Sequence, residues 1–279
     1  MRTLALFLAA LLALPATAQT LDKIKKAGVI NLGYIDTAAP FSSADANGEP
    51  QGYSVDLCRA VAESIANQLQ QPKLKTRWVK LTIQNRLQAV RTKRVDIECG
   101  TTTWTLARQK LVDFSLVTFV DGGSILTKLG GRLARVSDLD GKKIAVIKGT
   151  TTERALREAL KRTLTASEIV LVAARDEGLA LLRKDDVQGF ASDRTTLIGI
   201  VAANAAGDAF RLLDEDFSIE QYALALPRGD TDFRIAVNRG LARLYRTGEV
   251  QQVYDRSLGS LGPPSMLLSA TYLIQSLSE

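Results

Sequence analysis

Between Glu98 and Arg108 the chain reads Glu-Cys-Gly-Thr-Thr-Thr-Trp-Thr-Leu-Ala-Arg. A strand-like run from Val95 to Glu98 breaks at Gly100 into three hydroxyl residues. Thr105 then suits the N-cap of a helix opening at Leu106. A strand end of this kind turns hydroxyls and unpaired backbone N–H groups outward. The partial positive charge of the helix start makes it a place for an anion. Arg108 adds a planar guanidinium that can grip a carboxylate through two parallel hydrogen bonds. The competing reading is a solvated loop followed by a surface arginine.

Two more strand ends carry suitable groups. Lys148-Gly149-Thr150-Thr151-Thr152 follows an apolar run ending at Ile147. Its glycine and hydroxyls open a helix, so its amides can also receive an anion. It lacks the second glycine and the Lys-before-Thr of a phosphate-binding loop, and a plain capping turn is the alternative. Ser192-Asp193-Arg194 follows the run from Val187 to Ala191. Asp193 there can hold an ammonium group, or else cap the following helix. A carboxylate site beside an ammonium site is what a zwitterion requires.

The composition narrows the chemistry. Of 279 residues none is histidine and two are cysteine. The usual histidine-based nucleophile, general-base and zinc arrangements are therefore excluded, and no metal or cofactor is expected. Met1-Arg2, the apolar run Leu4 to Leu14 and Pro15-Ala16-Thr17-Ala18 read as a secretory signal cut after Ala18. The apolar run falls short of the ~20 residues of a spanning helix. The expected mature protein is soluble and exported. In that compartment Cys58 and Cys99 are a candidate disulfide, the alternative being two buried thiols. The net charge of +6 is spread along the chain. No basic block interleaved with aromatics is present, so nucleic acid is not an expected partner.

The elements that must position these residues follow from periodicity. Val29 to Tyr34 alternates as a strand, Tyr53 to Leu69 has helical apolar spacing, and Lys75 to Val79 is β-like. Thr82 suits the cap of a helix running to about Thr92. Asp113 to Lys128 is rich in β-formers and reads as extended crossings between two lobes. Beyond it the pattern repeats: strand Lys143 to Ile147, helix Thr151 to Lys161, strand Ile169 to Val172, helix Asp176 to Lys184, strand Val187 to Ala191 and helix Thr195 to Ala203. Strand Tyr222 to Leu226, helices Asp230 to Thr247 and Glu249 to Leu258, and an irregular or helical tail complete the chain. This is an α/β protein of two lobes. Ligands of open α/β sheets sit at the carboxyl ends of strands, and clefts between domains favour small molecules.

Ile97-Glu98-Cys99-Gly100-Thr101-Thr102-Thr103 with the spaced Arg108 is one of several motifs that occur in order along the mature chain. The others are Gln84-Asn85-Arg86, Pro40-Phe41-Ser42, Gly52-Tyr53-Ser54 and Gly149-Thr150-Thr151. Together they resemble the periplasmic solute-binding proteins of polar amino acid ABC importers, in particular the glutamate/aspartate-binding subgroup. The resemblance implies a two-lobed periplasmic-binding-protein fold with a ligand cleft between lobes: signal peptide 1–18, one lobe from 19–121 plus 223–279, the other from 122–222. It implies a monomer that delivers one free amino acid to an inner-membrane ABC permease. It assigns Arg108 and Thr103, with Thr150 or Thr151 across the cleft, to the α-carboxylate, and Asp193 and Thr101 to the α-ammonium. At the side-chain end the family pattern of Arg, Ser, Arg and His maps onto Ile35, Ile83, Arg86 and Glu177, of which Arg86 alone matches. Glu177 either pairs with Arg86, reads a polar or cationic group, or sits on a helix surface. Trp104 departs from an expected Asn and either lines the cleft or packs outside it. Cyclohexadienyl dehydratases, enzymes on the same fold, are the main alternative, with Glu177 or Glu98 as the acid. A sensory or adhesion module is the other.

Overall fold

The computed structural model describes residues 19–131, 133–203 and 209–278; the expected signal peptide lies outside them. The first half comprises α1 (Gln19–Ala27), β1 (Val29–Ile35), three short strands β2 (Thr37–Ala38), β3 (Ser42–Ala44) and β4 (Pro50–Gln51), then α2 (Tyr53–Gln68), β5 (Lys75–Leu81), α3 (Arg86–Arg91), β6 (Ile97–Glu98), α4 (Leu106–Gln109) and the long β7 (Asp113–Lys128). The second half comprises β8 (Lys143–Ile147), α5 (Thr151–Arg162), β9 (Glu168–Val172), α6 (Arg175–Arg183), β10 (Gly189–Asp193), α7 (Arg194–Ala203), β11 (Phe210–Leu212) and β12 (Ser218–Leu226), followed by α8 (Thr231–Thr247), α9 (Glu249–Leu258) and α10 (Met266–Ile274).

The main sheet has the order β5-β1-β6-β12-β7-β10-β8-β9, with β11 on β7. Pairing is parallel at both ends (β5, β1 and β6; β10, β8 and β9) and antiparallel where β12 and β7 meet. These two strands carry the chain between two bodies of apolar packing. One gathers Ile30, Leu57, Ile97, Tyr222, Phe233 and Leu241. Elsewhere Ile125, Ile144, Val146, Leu156 and Ala191 form a separate cluster. Strand β7 is buried along most of both faces, which explains a near-continuous run of β-formers rather than an alternating one. The β12–β7 register shifts at Tyr222/Ala223, beside the site.

Three local departures from the sequence expectation matter. The helix expected from Thr82 begins only at Arg86. Thr82 N–H donates to Asn85 Oδ1 at 2.9 Å and Asn85 N–H to Thr82 Oγ1 at 3.2 Å, closing a turn that leaves Arg86 as the first helical residue. The strand expected over 187–191 lies two residues later, so Ser192 and Asp193 pair with Ser124 and Gly123 of β7 instead of starting a loop. Short strands β2, β3, β4 and β11 were too brief to leave a periodic signal.

Cys58 of α2 is bonded to Cys99, tying the helix to the segment after β6. The two bodies touch closely. A Cβ on Gly199 would stand 2.6 Å from the carbonyl oxygen of Ala39, so only glycine lets α7 approach that loop. Ile83 packs against apolar clusters on both sides.

Candidate functional site

The segment after β6 builds one wall as its sequence suggests. Thr105 Oγ1 accepts from Arg108 N–H and caps α4. The turn folds Arg108 back so that its Nη1 donates to the Thr103 carbonyl at 2.8 Å. Thr101, Thr102 and Thr103 are buried, and Thr103 bridges to Tyr222 of β12. Trp104 points the other way. It is 38% exposed and stacks on Phe114, so it packs outside the cleft.

The opposite wall comes from α5, α6 and β10. Thr150 Oγ1 caps α5, accepting from Glu153 N–H and donating to Ile147 O. Its hydroxyl is thereby committed to the helix start, and Thr151 and Thr152 are the hydroxyls that reach inward. Thr152 donates to Asp193 Oδ1 at 2.9 Å, and Tyr222 OH lies 2.7 Å from Asp193 Oδ2. Burial and the Asp193 charge push the Tyr222 phenol well up, so it remains a donor. Asp193 accordingly stands in the site, one oxygen engaged by Thr152 and the other by Tyr222.

The structure adds two site residues that the sequence reading missed. Glu220 of β12 is 2% exposed. Its Oε2 accepts from Thr103 Oγ1 at 2.7 Å and Thr151 Oγ1 at 2.8 Å, and its Oε1 from Ser218 Oγ at 2.8 Å. Burial and the nearby Asp193 raise its carboxyl above the ordinary range. Arg175, first residue of α6, is 3% exposed. Its Nη2 is 3.5 Å from Thr101 Oγ1, while Nε and Nη1 have no hydrogen-bond partner. Leaving buried donors of a charged group unpaired is costly, and it marks a place that an incoming acceptor completes.

Glu177, two residues along α6, is exposed, and its carboxylate accepts from Ala173 N–H at 2.7 Å across the first turn. It stands at the rim of an outer cavity of about 800 Å³ lined also by Ile83, Arg86, Arg108, Lys148 and Leu171. Behind that cavity Arg86, Thr101, Thr103, Thr151, Arg175 and Asp193 surround a space of only about 20 Å³, room for about one water. Arg86 lines both. Arg108 is held down to about 10 by burial and by the neighbouring charge of Arg86, a value that leaves it a cation at neutral pH. Glu98 is fully buried beneath these groups and lines neither cavity. Burial raises its carboxyl while Arg86 pulls it down. A Cβ on Gly100 would meet Glu98 Oε1 at 2.3 Å, so the glycine makes room for this buried carboxyl. Among the described residues no His, Cys, Asp or Glu group is arranged for a metal, and no helix is long and apolar enough to cross a membrane.

Residues 30–260 match the model of the bacterial extracellular solute-binding proteins, family 3. The chain belongs to that family. Among similar proteins, the L-glutamate/L-aspartate-binding protein of Pseudomonas aeruginosa is 34% identical over 93% of this chain and 87% of its own length. The glutamate/aspartate import solute-binding protein of Escherichia coli is 31% identical over 91% and 84%. In three dimensions the cysteine-binding protein of Campylobacter jejuni superposes with a TM-score of 0.75 at 24% identity, covering 86% of this chain and 93% of that one. An ancestral amino acid-binding protein described as a precursor of cyclohexadienyl dehydratase superposes at 0.73 with 27% identity, covering 85% and 99%. The fold is thus the two-lobed one of amino acid-binding proteins, and the similar proteins named here are binders, not enzymes.

Proposed function

We propose that this chain binds one free acidic amino acid, glutamate or aspartate, between its lobes and delivers it in the periplasm to an inner-membrane ABC permease. The observation that carries the reading is Arg175. It is a buried guanidinium with two unpaired nitrogens, in the same pocket as Arg86. A dicarboxylic amino acid has two carboxylates and one ammonium. Arg108 and the amides near Thr103 suit the first carboxylate, Arg86 and Arg175 the second, and Asp193 with Thr101 the ammonium. Arg175, two residues before Glu177, offers the second carboxylate a cationic partner where the family's His position maps onto an acid. Glutamate/aspartate-binding relatives support the same ligand class.

A space of about 20 Å³ cannot admit an amino acid. The ligand therefore enters an open form and the lobes close on it, with β7 and β12 as the crossing strands and divisions near 121/122 and 222/223. The protein acts as a monomer after its signal peptide is removed. The test is thermal stabilisation of refolded mature protein against the common amino acids. A ligand at 100 times its dissociation constant adds about 2.7 kcal/mol, several degrees for a chain of this size. Stabilisation by glutamate or aspartate above all others is expected. Stabilisation only by neutral or basic amino acids would overturn the acidic assignment, and none by any amino acid the whole reading.

A further inference from the structure

Each threonine hydroxyl has one proton. Those of Thr103 and Thr151 are both aimed at a single oxygen of Glu220, at 2.7 and 2.8 Å, while their own oxygens stand 3.1 Å apart. Thr103 belongs to the segment after β6 and Thr151 opens α5, so the contact spans the cleft. Ser218 Oγ, at 2.8 Å, satisfies the other carboxylate oxygen. With their protons committed to a carboxylate, the two hydroxyls face the inner pocket as acceptors only. Acceptors cannot hold a ligand carboxylate. They can take N–H protons from an ammonium, beside Asp193 in the same pocket.

We propose that Glu220 is a positioning residue for the ligand's ammonium: by accepting the Thr103 and Thr151 hydroxyls across the cleft, it presents their lone pairs to the ligand amine and makes that recognition depend on closure. This reassigns both hydroxyls from the carboxylate end, leaving the carboxylate to Arg108 and backbone amides. The inference rests on the acidic amino acid reading above.

The test compares glutamate with glutarate, the same dicarboxylate without its amine, by isothermal titration calorimetry on wild type and Glu220→Gln. The amide oxygen of Gln is a weaker acceptor than a carboxylate oxygen, so it holds the two hydroxyls less firmly, and where the NH2 group faces them one hydroxyl must turn its proton toward the pocket. Glu220→Gln is expected to weaken glutamate at least tenfold and leave glutarate unchanged or tighter. Thr151→Val, which deletes one of the two acceptors, is expected to show the same selective loss, and it serves if Glu220→Gln does not fold. Equal loss for both ligands in the folded variants would mean a purely structural tie and overturn the proposal, as would no loss for either. A wild type that binds no acidic amino acid would instead refute the ligand assignment on which the proposal stands.

Discussion

The acidic and basic corners of the cleft are built to different standards. Every carboxylate oxygen of Asp193, Asp121 and Glu220 meets at least one donor, from Thr152 and Tyr222, from Gly122 and Thr195, and from Thr103, Thr151 and Ser218. Arg175, equally buried, has two nitrogens that meet none. A satisfied corner keeps its shape without ligand, whereas an unsatisfied one is at its best only when an anion arrives. On the proposed reading, the difference teaches that the acids set the geometry and orientation of the ligand, while its affinity and its acidic character are decided at Arg175 and Arg86.

That contrast can be broken in four ways. Removing the unsatisfied cation should have the largest effect. Arg175→Met is expected to weaken glutamate binding at least 100-fold, about 3 kcal/mol. It should leave the ligand-free melting temperature unchanged or higher, since a buried guanidinium with two unpaired donors is gone. A large drop in ligand-free stability would mean that Arg175 is a structural member after all. Asp193→Asn keeps the Thr152 and Tyr222 neighbours but removes the charge opposite the ammonium. A loss of about 1.5–3 kcal/mol in ligand affinity is expected by calorimetry, and unchanged affinity would move the ammonium elsewhere.

Asp121 sharpens the acidic side through pH. Burial and the Asp193 charge push its carboxyl up to about 7. The native state then holds a proton that the unfolded state has released. Between the unfolded value near 4 and about 7, stability falls as pH rises, by on the order of 2–4 kcal/mol. Denaturant midpoints followed across that window should decline in wild type and decline less in Asp121→Asn. Parallel slopes would show that Asp121 is ionised throughout. The smallest effect is expected at Glu177. Its carboxylate accepts from Ala173 N–H, just ahead of α6 on an exposed surface, so Glu177→Ala should cost about 0.5–1 kcal/mol of stability and leave the glutamate affinity within about twofold. A tenfold affinity change would return Glu177 to the site.

What could be read from the sequence was what is local. Glu98 to Arg108 works as a strand end, a run of hydroxyls and a capped helix within eleven residues, so its chemistry was visible before its surroundings were. β7 was visible for the same reason, as a stretch rich in β-formers on either side of Gly122-Gly123. Arg175 and Glu177 were not separable by sequence. They share a helix turn, but two residues advance about 200° around a helix, so one enters the pocket and the other faces solvent. Glu220 lies in a strand segment whose residues alternate between buried and exposed, and only the pairing of β12 with β7 tells which side faces the cleft. Long-range closure, not local pattern, turns an ordinary strand glutamate into a link between Thr103 and Thr151.

The central claim is that the cleft demands a second carboxylate. It is tested most directly by the affinity of ligand-free wild type for glutamate against glutamine, and for aspartate against asparagine, measured by isothermal titration calorimetry. These pairs match in size and differ only in the group offered to Arg86 and Arg175. The account predicts that the acid of at least one pair binds 100-fold or more tightly than its amide. Amides that bind as well as the acids would contradict it, because the unpaired guanidinium of Arg175 would then have no part in choosing the ligand.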